Sequence, residues 1–316
     1  MINQDYLFCE DWSNVEAQQL PEKAIYLYEQ DAEDRSVYCI SHLQASNTGC
    51  VFASVKELPG DEIEIEIEIE NSATGKSIIS LYSPASILAF IQKFAPRVVF
   101  LDVTGMCCRV VAPMMKVLLD NNVDLRVVYV EPRDYIVEKF QQEGMNKDLS
   151  ESIDGVDPLP GFTSFMPMGD DALFVALLGF EGGRFSYLLS EQQPTDDRIR
   201  PVLGVPGYKM NYPYEALWGN RNAIESTHCW NYLCYAEANS IVDVYFKLEA
   251  LYKLNHRPQM IIAPIGTKPH VIGAILYAIK NPDRVELLYD NPKRTLHRTN
   301  GIGRVICCDV TRLYNA

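Results

Sequence analysis

The sequence predicts an α/β protein with two mostly parallel sheets related by approximate internal duplication. Three observations predict it. Short apolar, β-prone runs alternate with helical patterns along the 316 residues, the arrangement that produces parallel sheet. Three pairs of segments recur in the same order in the two halves of the chain. Candidate strands end in small or acidic turns that pass directly into a helix.

The first half runs through residues 1–145. "AIYLYEQDAEDRSVYCISHL" (24–43) reads as a strand, an acidic turn, then Arg35 opening a helix that carries Tyr38. "DEIEIEIEIE" (61–70) alternates with period two, so it is a strand with one charged, exposed face. "SIISLYSPASILAFIQKF" (77–94) gives a strand, small polar residues and an amphipathic helix. "VVFLDVTGMCCRVVAPMMKVLLDNNVDLRVVYVEP" (98–132) completes the half as strand, glycine turn, apolar helix and strand.

Residues 146–169 are polar and turn-rich and read as a linker. The second half, 170–316, repeats the order of the first. "LFVALLGFEGGRFSYLLSEQ" (173–192) places Arg184 and Tyr187 where the first half has Arg35 and Tyr38. "NYLCYAEANSIVDVYFKLEALY" (231–252) answers 77–94. "MIIAPIGTKPHVIGAILYAIKNPDRVELLYDNP" (260–292) answers 98–132, with Gly266 on Gly105 and Asp290 on Glu131. The repeat breaks once, because the counterpart of 61–70, "YPYEALWGNRNAIES", has a helical pattern. Each half is thereby read as Rossmann-like.

Composition narrows the functional classes. No apolar run approaches the roughly 18 residues of a membrane-spanning helix, and the acidic N-terminus has no apolar core of a secretory signal. The nine cysteines sit mostly in apolar runs, with no Cys-x-x-Cys and no zinc spacing. They are expected as buried free thiols in a reducing, cytoplasmic setting. A net charge of −14 opposes bulk nucleic-acid binding. A local exception would be "NPKRTLHRTNGIGR", with Lys293, Arg294, Arg298 and Arg304; the alternative is a solvated loop before the last strand.

Ligands of open parallel sheets bind at the carboxyl ends of strands, where strand order reverses. This rule selects "PIGTKPH", whose Gly266 permits close backbone approach, Thr267 offers a hydroxyl and Lys268 a charge beside helix N–H groups. Pro269 suits a first helical turn. His270 stands beside this turn and reads as a helix-cap partner more readily than as a general base. The first half retains Thr104 and Gly105, with Arg109 expected in place of the lysine. Glu181 and Arg184 of "GFEGGR" are either ligand contacts or a salt bridge at the helix start.

The carboxylates Asp102, Glu131, Glu181 and Asp290 fall at predicted strand ends. They are candidates for magnesium chemistry, or ordinary caps and turn formers. No metal site is expected of them, since they are expected to be dispersed. The dinucleotide Gly-x-Gly-x-x-Gly is absent, and no hydrolase or kinase signature occurs. "SATGKS" (72–77) lacks the first glycine of a Walker A loop and precedes a strand.

On "IGTKPH" the chain resembles CRISPR-associated Rossmann-fold (CARF) sensor domains and their relatives in bacterial antiphage defence. Gly266, Thr267 and Lys268 match the Gly-Thr-Lys turn of that family, and Thr104-Gly105 is its degenerate equivalent. The turn has one glycine where the family has two. The resemblance implies a nucleotide sensor, with cyclic oligonucleotide as ligand. The chain stops after its second half, so the output is expected in a protein effector partner. Two other readings stay open: a metal-assisted phosphohydrolase or nucleotide-processing enzyme, and a catalytically silent interaction subunit.

Overall fold

The computed structural model describes residues 4–68, 75–136, 149–157, 159–162, 169, 171–256 and 259–316. Strands and α-helices are numbered along the chain: β1 (Cys9–Asp11), β2 (Ala24–Tyr28), α1 (Tyr38–Leu43), β3 (Val51–Leu58), β4 (Glu62–Glu68), β5 (Lys76–Ser80), α2 (Pro84–Gln92), β6 (Val98–Asp102), α3 (Cys108–Asp120) and β7 (Leu125–Tyr135). Then come β8 (Ser150–Ile153), β9 (Leu173–Leu177), α4 (Gly182–Gln192), β10 (Ile199–Gly204), α5 (Tyr212–Gly219), α6 (Arg221–Ser226), β11 (Cys234–Ala236) and α7 (Ile241–Leu254). The chain finishes with β12 (Met260–Pro264), α8 (Lys268–Lys280), β13 (Val285–Leu287), β14 (Pro292–Arg294), β15 (Thr299–Asp309) and α9 (Val310–Tyr314).

These elements form two compact units. One comprises Gln4–Ile136 with Leu296–Ala316, the other Val137–Thr295. The first unit holds an eight-stranded sheet of order β1-β15-β7-β6-β2-β3-β4-β5. Its centre, β7-β6-β2-β3, is parallel, and antiparallel strands extend it on both flanks. All residues of β2 and β6 are buried, which is why they read as unbroken apolar runs. Along β4, Ile63 and Ile65 are buried as the alternation predicts, while of the glutamates on the other face Glu62 is exposed and Glu64 and Glu66 are half-buried. Residues 69 and 70 of that predicted strand lie outside the described residues.

The second unit holds a five-stranded sheet, β11-β10-β9-β12-β13, parallel throughout, and a small antiparallel pair, β14-β8. Its helices start on recognisable signals. Ser240 caps α7 by accepting from Asp243 N at 2.8 Å, and Pro269 lies in the first turn of α8. The stretch 212–226, helical in pattern, forms α5 and α6.

Two boundaries differ from the sequence expectation. Ser150–Ile153, within the expected linker 146–169, is β8 and pairs with β14. Residues 296–316, expected in the second half, join the first sheet, where β15 pairs antiparallel with β7 from Thr299↔Tyr135 to Asp309↔Arg126. The cause is a long partner strand. β7 has eleven residues, mostly buried, and the buried run Val305–Cys308 satisfies its open edge. Among the described residues no helix is long and apolar enough to cross a membrane.

Candidate ligand-binding site

In the five-stranded sheet, strand order reverses between β9 and β12, since β10 and β11 extend one way and β13 the other. Their carboxyl ends carry Gly179 and Gly266. A Cβ built on Gly266 would lie 2.9 Å from Leu178 O and 3.0 Å from Leu177 O; one on Gly179 would lie 2.8 Å from Ile265 O. The two turns therefore touch backbone to backbone, and the close approach these glycines permit is that of the protein to itself. Asn220, which the sequence did not single out, braces the same place by donating to Gly179 O and Ala216 O, both at 2.8 Å.

Thr267 is the N-cap of α8, but its side chain makes no cap bond. Its hydroxyl donates instead to Ala238 O at 2.7 Å. Lys268 follows as the first helical residue and is half-buried. His270 is fully buried, with Nε2 2.9 Å from Glu237 O. Because a carbonyl only accepts, the proton sits on Nε2, and Nδ1 has no hydrogen-bond partner. Burial pulls the imidazole pKa down from 6.5 to about 4, so the ring is neutral at pH 7. Thr267 and His270 thus tie the turn after β11 to the start of α8. Ala238 N in turn donates to Pro206 O at 3.0 Å, joining the turn after β10.

Arg184 is buried and held in a fork by Asp290, with Nε–Oδ2 at 2.7 Å and Nη2–Oδ1 at 2.5 Å. Glu181 stands 3.5 Å away, and Nη1 donates to Ile265 O at 3.3 Å. Burial opposes the charge, but the hydrogen bonds and charge of Asp290 outweigh it and raise the guanidinium pKa. Glu181 also accepts from Leu149 N at 2.9 Å. The Glu181–Arg184 salt bridge weighed from the sequence is present, with Asp290 as the closer partner. The Arg35/Arg184 and Glu131/Asp290 matches of the repeat were the available signal for it.

The first unit reverses strand order between β2 and β6. Here a Cβ on Gly105 would lie 2.1 Å from Glu29 O, a tighter contact than at Gly266. Asp102 accepts from Tyr26 Oη at 2.7 Å and from Thr104 N at 3.0 Å, and Thr104 Oγ1 accepts from Val130 N at 3.0 Å. Arg109, expected in place of the lysine, is gripped by both carboxylate oxygens of Asp61. Arg35 bonds Glu33 at 2.6 Å, Val130 O at 2.9 Å and Thr299 Oγ1 at 3.2 Å.

The four candidate carboxylates have different surroundings. Asp102 and Glu131 belong to the first unit; Glu181 and Asp290 belong to the second, where they share Arg184. Among the described residues no group of three or more His, Cys, Asp or Glu side chains is placed to hold a metal ion. The basic segment is divided between the units. Lys293 pairs with Asp154 at 3.3 Å in the second, and Arg298 with Glu33 at 3.2 Å in the first. No known family model matches the chain. No curated protein matches it in sequence either.

Proposed function

We propose that the chain is a nucleotide sensor whose anionic ligand sits over the carboxyl ends of β9 and β12, on the first turn of α8. One observation carries the reading: Thr267 turns its hydroxyl away onto Ala238 O, so the N-cap side chain makes no cap bond to α8, and Lys268 occupies the first helical position. A helix start whose N-cap side chain is turned away, with a lysine adjoining, favours a phosphate by dipole, N–H donation and charge together. Its place at the reversal of a parallel sheet supports the same reading. Arg184, Glu181, His270 and Gly266 serve this site by holding its turns, each through protein contacts.

The resemblance to CARF domains narrows the ligand to cyclic oligonucleotides and places the output in an effector partner, within bacterial defence. Duplication belongs to the same proposal. The parallel orders β3-β2-β6-β7 and β10-β9-β12-β13 correspond, and an arginine follows the first parallel strand of each. The enzymatic alternative would use some of Asp102, Glu131, Glu181 and Asp290, of which Glu181 and Asp290 are engaged with Arg184.

A thermal-shift and titration screen of mononucleotides and cyclic oligonucleotides tests the proposal. Lys268→Ala is expected to weaken binding by roughly 1.5–3 kcal/mol, the worth of a hydrogen bond to a charged group, with little change in unliganded stability. A nucleotide that stabilises both proteins equally would place the ligand elsewhere.

A further inference from the structure

We propose that Cys9 and Cys308 are a redox couple, a dithiol that a low-molecular-weight disulfide converts into a cross-strand disulfide. Both residues lie in the first unit, directly opposite each other on the antiparallel strands β1 and β15. The register shows which kind of pair they form. Asp309 N donates to Phe8 O at 2.7 Å and Trp12 N to Val305 O at 2.8 Å, so 8/309 and 12/305 are hydrogen-bonded pairs. Antiparallel pairs alternate, which makes Cys9/Cys308 a non-hydrogen-bonded pair, the kind whose Cα atoms lie about 4.5 Å apart with side chains close. That spacing is inside the roughly 4.4–6.8 Å that a disulfide spans.

The side chains agree with the backbone. The neighbouring Cys9 thiol, and burial, raise the Cys308 thiol pKa well above the usual thiol value. Cys307, its neighbour on β15, points to the opposite face and packs in the core with Tyr26 and Cys39. Cys308 therefore has Cys9 as its facing thiol in register. Access is asymmetric, since Cys9 is half-buried and Cys308 fully buried.

This asymmetry orders the chemistry. The Cys9 thiolate attacks the small disulfide, forming a mixed disulfide on Cys9 and releasing one small thiol. Cys308, deprotonated, then attacks the Cys9 sulfur; the protein disulfide forms and the second small thiol leaves. The two protein protons end on the two released thiols, and two electrons pass from the protein to the reagent. The second step is the slower one, because the buried Cys308 thiol gives up its proton reluctantly. The product ties the three-residue edge strand β1 covalently to β15.

The test is peptide mapping of the full chain after incubation with oxidised glutathione, without reduction. The expected product is a Cys9–Cys308 cross-linked peptide lacking two hydrogens, preceded by a transient glutathione adduct on Cys9 and reversed by reductant. In Cys308→Ser the adduct on Cys9 should persist and accumulate. Either of two results on the unmutated protein overturns the proposal. One is a stable Cys9 adduct with Cys308 still a thiol; the other is Cys9 and Cys308 both reduced while the half-buried Cys50, Cys107 and Cys234 become modified.

Discussion

Both units place an arginine beyond the end of their first parallel strand and bury it against the strands beside it, yet they satisfy it differently. Arg184 has Asp290 as a dedicated bidentate partner, and Asp290 is wholly shielded from solvent. Arg35 shares Glu33 with Arg298 and completes its bonds with Val130 O and Thr299. An aromatic ring lies near each guanidinium, Tyr129 at 5.8 Å and Tyr289 at 5.9 Å. Both arginines sit in networks, but Arg184 centres on one bidentate carboxylate, with Glu181 and Ile265 O beside it, whereas Arg35 relies on a carboxylate it shares with Arg298. Losing the cation strands a fully buried Asp290 in one unit and leaves Glu33 with a second cation in the other.

The largest expected effect tests this contrast directly. Arg184→Met leaves the Asp290 carboxylate buried without its cation and should destabilise the second unit by roughly 3–5 kcal/mol. Arg35→Met leaves Arg298 on Glu33, and the loss should be smaller by at least about 1 kcal/mol. Hydrogen exchange resolved by unit measures both; equal losses would abolish the distinction.

Acid separates the units next. His270 has a folded pKa of about 4 against 6.5 when unfolded, so the unfolded chain binds the proton first. Its contribution is complete above pH 6.5 and disappears as pH falls to about 4, an effect of about 3 kcal/mol on the second unit. His270→Gln should flatten that slope. Glu33 acts in a lower window. Burial raises its pKa, but Arg35 and Arg298 with their hydrogen bonds outweigh this and lower it below 4.5. Its stabilisation of the first unit holds above pH 4.5 and is lost as pH falls through the depressed folded value. On acid titration the second unit should therefore loosen first; simultaneous loss would show that these groups do not govern it.

The smallest effect compares the strand-end glycines. An alanine Cβ at Gly105 meets Glu29 O at 2.1 Å, and one at Gly266 meets Leu178 O at 2.9 Å. Gly105→Ala should cost about 2–3 kcal/mol and Gly266→Ala about 1 kcal/mol, as overpacking against backbone. Denaturant midpoints for the two variants give the ranking, and the reverse order would contradict the packing described.

The strands of the two parallel cores were legible because burial on both faces leaves an unbroken apolar signature, as in "AIYLY" and "LFVAL". Helix starts were legible through local chemistry, Pro269 being the clearest. The placement of β15 was not. Its partner β7 is distant in sequence, and the repeat ends near Pro292, before β15 begins. For the candidate residues the sequence displayed charge and type but not the tertiary partner. Arg109's partner Asp61 lies in a different segment, and Arg184, weighed beside its near neighbour Glu181 either as a ligand contact or as a salt bridge, is gripped most closely by the distant Asp290. Local sequence shows which groups carry charge; tertiary pairing decides which of them are engaged.

The return of β15 to the first sheet has a consequence for synthesis. A ribosome releases Gln4–Ile136, then the whole of the second unit, and only afterwards the strand that covers the edge of β7. The second unit's five-stranded sheet is complete by Leu287 and is free to form as soon as it emerges. The first unit must wait, holding an apolar strand edge open through the intervening translation, a period in which such an edge invites mispairing and chaperone capture. In the nascent chain the second unit is therefore the first able to close its sheet.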